Sequence, residues 1–245
     1  MKKVLILFIT FSLVLLSMSG CMFAPNRPYN PIWDYDFSQM KLIQLEPPVQ
    51  GQTIVTINTT LGSFKAMLFE EYAPNTVKNF LDRIEEGFYE NREIFGAVEG
   101  EFFSTGFYDK EGLQGVTGDG KLIPNEYSVN LWPFKGSLIS FSRTIGFGDS
   151  RFIVSGSTPF TEEDAKEFRD VKRSDGSRLL PEELVKAFEE NGNMAKELSV
   201  AFTIFGQVIE GFDVLELLMS IPTEEDTART IEEHYIINIE VSKWQ

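Results

Sequence analysis

Apolar positions recur along this chain with two different periods, and each change of period marks an element. Val55 and Ile57 alternate with Thr56 and Asn58, and after "TTLG" the residues Phe64, Ala66 and Leu68 alternate with Lys65, Met67 and Phe69. Alternation of period two around a glycine-containing turn predicts a β-hairpin. The period then lengthens. Pro74 and Asn75 open a stretch in which Val77, Phe80, Leu81 and Ile84 recur at helical spacing and which Gly87 can close, so a helix follows at once. Short strand-like runs return at 136–142, 151–156, 201–211 and 235–244, with a second helix near Val214 to Met219. Between Thr161 and Ser199 the chain becomes highly charged, with Leu184 and Phe188 one helical turn apart. That pattern predicts surface helices inserted between two strands.

Two segments precede the hairpin. Lys2 and Lys3 lead into an apolar run from Val4 to Met18, broken only by Thr10, Ser12 and Ser17, and Ser19 and Gly20 precede Cys21. A membrane span needs about 20 apolar residues, so this shorter run with a basic start reads as a signal peptide over residues 1–20. The stretch "LLSMSGC" resembles the lipobox of bacterial lipoproteins, which implies that Cys21 is acylated and becomes the mature N-terminus. Cys21 is the only cysteine, so no intramolecular disulfide can form. Residues 21–52 follow as a lipidated N-terminus and tether, rich in proline (Pro25, Pro28, Pro31, Pro47, Pro48) and poorly suited to helix or sheet ladders. Tyr29, Trp33, Tyr35 and Phe37 lie among these prolines and leave a second arrangement open, in which part of the segment packs on the domain. The domain itself is assigned to 53–245, with 161–199 as its insertion.

Composition narrows the function. Of the residues, 42% are hydrophobic and 24% charged, which suits one globular domain with appendages. Lys and Arg number 22 against 37 Asp and Glu, a formal charge of −15, and −17 once Lys2 and Lys3 leave with the signal peptide. Phosphate backbones repel such a chain, so nucleic acid is not an expected partner. The lone His234 cannot build a zinc site by itself, "GVTGDGK" at 115–121 lacks phosphate-loop spacing, and the acidic stretch at 162–164 lacks the ligand pattern of a calcium loop.

The residues at 60–95, "TLGSFKAMLFEEYAPNTVKNFLDRIEEGFYENREIF", together with "FTIFGQVIEGFDVLE" at 202–216, resemble the cyclophilin-type peptidyl-prolyl isomerases. The resemblance covers roughly 53–243 and implies a mainly β fold: a closed antiparallel eight-stranded barrel capped by two helices, here with a charged helical insertion. It also implies rotation about X–Pro bonds, whose barrier of ~18–20 kcal/mol comes from amide resonance. Such catalysis needs an apolar slot for the proline ring and a donor that favours the twisted amide, and no metal or other cofactor. Matched residue by residue, Phe95 keeps the Phe of the family's Phe-His-Arg motif, while Gly96 and Ala97 stand at the His and Arg places. Phe102 matches the pocket Phe, Phe103 the Met, Thr105 the first Gln, Arg151 the second Gln, Ile153 a pocket Phe, Phe160 the Trp and Phe202 the late His. Ser142 lies in a strand, "SFSR", that borders the proline pocket.

The apolar positions of the site are kept and the central donor is lost. Arg151 either reaches across from the neighbouring strand to restore a guanidinium, as the tentative catalytic residue, or pairs with a carboxylate. Two functions follow from the resemblance. One is a membrane-tethered, extracytoplasmic isomerase that assists the folding of exported proteins and binds proline-containing segments. The other is a catalytically degenerate module that holds a peptide or partner protein.

Overall fold

A computed structural model of the chain describes residues 31–108, 114–192, 202–224 and 229–245. The expectations for the signal peptide, Cys21, residues 22–30 and the end of the insertion, from 193 onward, lie outside the described residues. In chain order the elements are β1 (Thr53–Thr59), β2 (Gly62–Leu68), α1 (Pro74–Glu85), β3 (Arg92–Glu93), β4 (Gly96–Val98), β5 (Phe102–Thr105), β6 (Ile123–Pro124), β7 (Ser137–Ser140), β8 (Phe147–Gly148), β9 (Phe152–Ser155), α2 (Glu162–Asp170), α3 (Glu182–Asn191), β10 (Thr203–Glu210), α4 (Phe212–Met219) and β11 (Tyr235–Lys243). The hairpin, the helix after it, the later strands and the helix near 214–219 stand where the periodicities place them.

Nine strands form one antiparallel sheet in the order β3, β11, β1, β2, β10, β7, β9, β5, β4. This corrects the closed eight-stranded barrel implied by the resemblance. The sheet curls, but its ends, β3 and β4, are consecutive pieces of chain that do not pair with each other. The reason lies at Ile94 and Phe95, where the chain changes partner: the Ile94 amide donates to His234 O at 2.7 Å and the Phe95 amide to Ser104 O at 2.9 Å. Through these amides each half of the short stretch meets a different strand, and among the described residues the other edge of β4 meets the segment at 229–230, with an isolated bridge from Gly96 to Arg229 and the Thr230 amide donating to Phe95 O at 3.1 Å.

Alternation along the strands sorts the apolar residues into two sets. Val55, Ile57, Phe64, Ala66, Leu68, Phe103, Leu138, Phe152, Val154 and Phe205 face inward and pack with Val77 and Phe80 of α1 and Leu215 and Leu218 of α4. Ile54, Met67, Ile139 and Ile204 face outward, and Phe102, Ile153, Phe202 and Ile43 pack against that outer set. The N-terminus of α1 has no side-chain cap of its own. Glu126 supplies one from a distant loop: its carboxylate accepts from the Asn75 amide at 3.0 Å and the Thr76 amide at 2.9 Å, satisfying orphan donors where the helix dipole favours negative charge.

The insertion and the segment before the domain build a second core together. Leu179, Leu180, Leu184, Ala187 and Phe188 pack with Ile32, Trp132 and Phe134, and Trp33, Tyr35, Phe37, Met40 and Leu42 cover them. Polar contacts pin the same strap. Gln44 donates to Ser137 Oγ at 2.9 Å and Gln207 Oε1 at 3.0 Å and accepts from the Trp132 amide. Arg173 of the insertion donates to Trp33 O and Tyr35 O at 3.0 and 3.1 Å.

Candidate functional site

Strand register decides which of the expected residues share a face. Gly96 pairs with Ser104, Ala97 with Phe103 and Val98 with Phe102, and across the other edge Phe103 pairs with Val154 and Ser104 with Ile153. Phe102, Ser104 and Gly106 therefore point outward with Arg151 and Ile153, while Phe103 and Thr105 point inward. Phe103 is 1% exposed and meets Phe64 edge-on at 6.1 Å; Thr105 is fully buried and its hydroxyl donates to Glu93 O at 2.8 Å. Neither lines the outer face, which corrects their expected place in the groove. Successive side chains of a strand point to opposite faces, so Phe102 and Phe103 do not share one, and on the paired strand Ala97 lies in the core with Phe103 while Gly96 lies on the groove side.

Along the outer face runs a row of aromatic rings. Phe95 lies 4.7 Å from Phe107, Phe107 lies 6.0 Å from Phe141, and Phe141 lies 6.4 Å from Phe202. Phe102 and Ile153 continue the apolar surface toward the start of β5; four residues separate Phe102 from Gly106, about 13 Å along the strand. Arg151 sits under the row, its guanidinium 5.2 Å from the Phe141 ring and 5.8 Å from Phe107. It is 4% exposed. Its Nε and Nη2 donate to the two oxygens of the equally buried Asp149 at 2.9 and 2.6 Å. The expected contact with a carboxylate is thus made, to a buried neighbour and not to one on the surface.

The chain around Arg151 is fixed from several sides. The Tyr89 hydroxyl donates to Ser150 O at 2.8 Å, and burial pushes that phenol far above its usual pKa. Ser150 Oγ donates to Gly106 O and accepts from the Val116 amide. Gly106 has φ +82°, and a Cβ there would meet Ser150 O at 2.2 Å, so no other residue fits without moving β5 from β9.

Two other expected residues do not join this face. Phe160 stacks on Phe188 at 5.5 Å and meets Phe168 edge-on, which makes it part of the second core. Ser142 spends its hydroxyl on its own turn, donating to Thr144 O and accepting from the Thr144 amide. Phe95, Phe102, Arg151, Ile153 and Phe202 do come together, joined by Phe107 and Phe141, which the sequence reading did not single out. Phe141 shares the parity of Ile139 along the chain and could have been found from it; Phe107 depends on the turn at Gly106. Two open depressions lie elsewhere, about 380 Å³ beside Trp33 and Val171 and about 410 Å³ along α1 at Val77 and Leu81. Among the described residues no group of three His, Cys, Asp or Glu side chains could hold a metal ion.

Residues 54–241 match the family described as cyclophilin type peptidyl-prolyl cis-trans isomerase/CLD. The chain belongs to this family. A protein of Staphylococcus haemolyticus with the provisional name peptidyl-prolyl cis-trans isomerase is 26% identical over 178 residues, 71% of this chain and 84% of that protein. A Streptococcus pyogenes protein with the provisional name bifunctional phosphatase/peptidyl-prolyl cis-trans isomerase is 28% identical over 174 residues, and the match spans 69% of this chain but only 34% of that protein. Among solved structures, a cyclophilin type peptidyl-prolyl cis-trans isomerase of Cryptosporidium parvum superposes with a TM-score of 0.59 at 21% identity, over 78% of this chain and 98% of that one. A second structure of that protein, in the presence of the dipeptide Ala-Pro, gives 0.58.

Proposed function

We propose that this cyclophilin-type chain binds proline-bearing segments of polypeptides on its outer aromatic face and speeds their cis-trans exchange, as an extracytoplasmic protein tethered to the membrane through acylated Cys21. The observation that carries the reading is the row Phe95, Phe107, Phe141 and Phe202 with a fixed guanidinium beside its two middle rings, and with Phe102 and Ile153 as an apolar floor. Rings at this spacing accept the flat, donor-free face of a proline, whose amide nitrogen carries no hydrogen. The Ala-Pro dipeptide with the C. parvum relative supports a ligand of this class. The basic start, apolar run and small residues before Cys21 support export and anchoring.

Arg151 lies beside the two middle rings, where Asp149 holds it, and Arg229 lies 5.4 Å over Phe95 at the end of the row. The Asp149 carboxylate offsets much of the field of this Arg151 guanidinium, and what remains acts on a rotating amide in a low-dielectric surface. Burial of the pair and Gly96 on the groove side favour a second reading, in which the face holds its ligand with little turnover. Proline-peptide exchange and peptide binding measured on one preparation separate the two. Arg151→Ala leaves a buried carboxylate unpaired, at about 3–5 kcal/mol, so the informative variant is Asp149→Asn with Arg151→Gln, which keeps hydrogen bonding. Exchange faster than in buffer, lost in that double variant while binding persists, is the expected result. Binding without acceleration in the unaltered chain would instead establish the holding module. Labelling with radioactive palmitate, abolished by Cys21→Ala, tests the anchor.

A further inference from the structure

The chain carries X–Pro bonds of its own shortly before the first described residue. Ala24–Pro25 and Arg27–Pro28 lie in the nine residues between Cys21 and position 31. The fold fixes where that segment begins. Ile32 is buried in the second core with Trp132 and Phe134, Phe134 O accepts from Ser155 Oγ at 2.6 Å, and Ser155 is the cross-strand partner of Phe102. From Ile32 to the Phe102 end of the groove is thus one packed layer and two strand spacings, roughly 20 Å. Pro25 precedes Ile32 by seven residues, an extended reach of about 23–25 Å. Pro28 precedes it by four, about 13–14 Å, and falls short. Charge favours the approach: Arg27 is the only charged residue of 22–30, whereas 19 basic residues face 37 acidic ones from position 31 onward.

We propose that Ala24–Pro25 docks on Phe102 and Ile153 of its own domain and competes there with any other proline-bearing segment. The proposal rests on the reading of this face as a proline groove. A ligand joined to the groove by so few residues is presented at an effective concentration on the order of millimolar, enough to occupy a groove of modest affinity for a large part of the time. Pro25 is also four residues from Cys21, so docking in an acylated chain would hold the groove within about 14 Å of the anchor.

The test compares the chain from Met22 to Gln245, which contains the whole described fold, with its Pro25→Ala and Pro28→Ala variants. Both substitutions precede the first packed residue and leave the cores untouched. The probe is an Ala-Ala-Pro-Phe peptide, followed by titration and by the amide NMR signals of Ser104 and Ile153. Pro25→Ala is expected to lower the apparent Kd by about threefold or more and to shift both amides before any peptide is added, while Pro28→Ala leaves Kd unchanged. Equal Kd for all three chains overturns the self-docking. If the peptide binds none of them and moves neither amide, the groove reading fails and the self-docking falls with it.

Discussion

Phe102 and Phe103 are adjacent, equally apolar and opposite in role. Phe102 packs on the outer set, whereas Phe103 lies in the inner core against Phe64. Phe103→Ala is expected to destabilise the fold by about 3–5 kcal/mol through the cavity it leaves, read by chemical denaturation, with peptide affinity per folded molecule retained. Phe102→Ala is expected to do the reverse, weakening peptide binding several-fold at a small cost in stability. Residue identity alone could not separate the two, because the family match ran through both and one step of register exchanges their faces. Thr105 points inward by the same alternation, and nothing in the local sequence marks the Asp149 pair beneath Arg151. That pair depends on the turn at 149–151, which Tyr89, Gly106 and Val116 hold from three separate parts of the chain.

Hairpins and helices were legible from periodicity, but two of their attachments were not. Gln44 bridges the strap to β7 and β10; Gln44→Ala leaves the Trp132 amide without its acceptor and is expected to cost about 1–3 kcal/mol, seen as a lower denaturation midpoint. A chain begun at Gln52 loses every strap residue over the second core and is expected to expose Trp132 and Phe188 and to bind a hydrophobic dye that the chain from position 31 excludes. Within the insertion, Arg169 ties Glu182 of α3 to α2 at 2.7 Å, and Arg178 joins the same carboxylate at 2.8 Å. These hydrogen bonds lower the Glu182 pKa from 4.5 to about 2. A depressed carboxylate pKa stabilises above the unfolded value and is lost as pH falls through the folded one, so the contribution should fade between pH 4.5 and 2. Thermal midpoints measured across that window should fall less for Glu182→Gln than for the unaltered chain.

The excess of acidic residues acts over the entire surface and not at one contact. It should speed capture of proline peptides flanked by Lys or Arg relative to those flanked by Glu, with the difference shrinking as salt rises from 10 to 300 mM, roughly 30 to under 8 Å of screening length; stopped-flow association at several salt concentrations reads this directly. The sequence by itself determined the net charge, the order of hairpin, helix and strands, the apolar kept positions and the absence of the His and Arg at 96 and 97, since these are properties of composition and of local period. Tertiary structure alone decided the open nine-stranded sheet, the inward turn of Phe103 and Thr105, the removal of Phe160 to a second core, and the ring row of Phe95, Phe107, Phe141 and Phe202 with Arg151 beside its two middle rings. Those depend on which strand lies beside which and in what register, and pairings between residues 50 to 190 positions apart leave no mark in any local window of the chain.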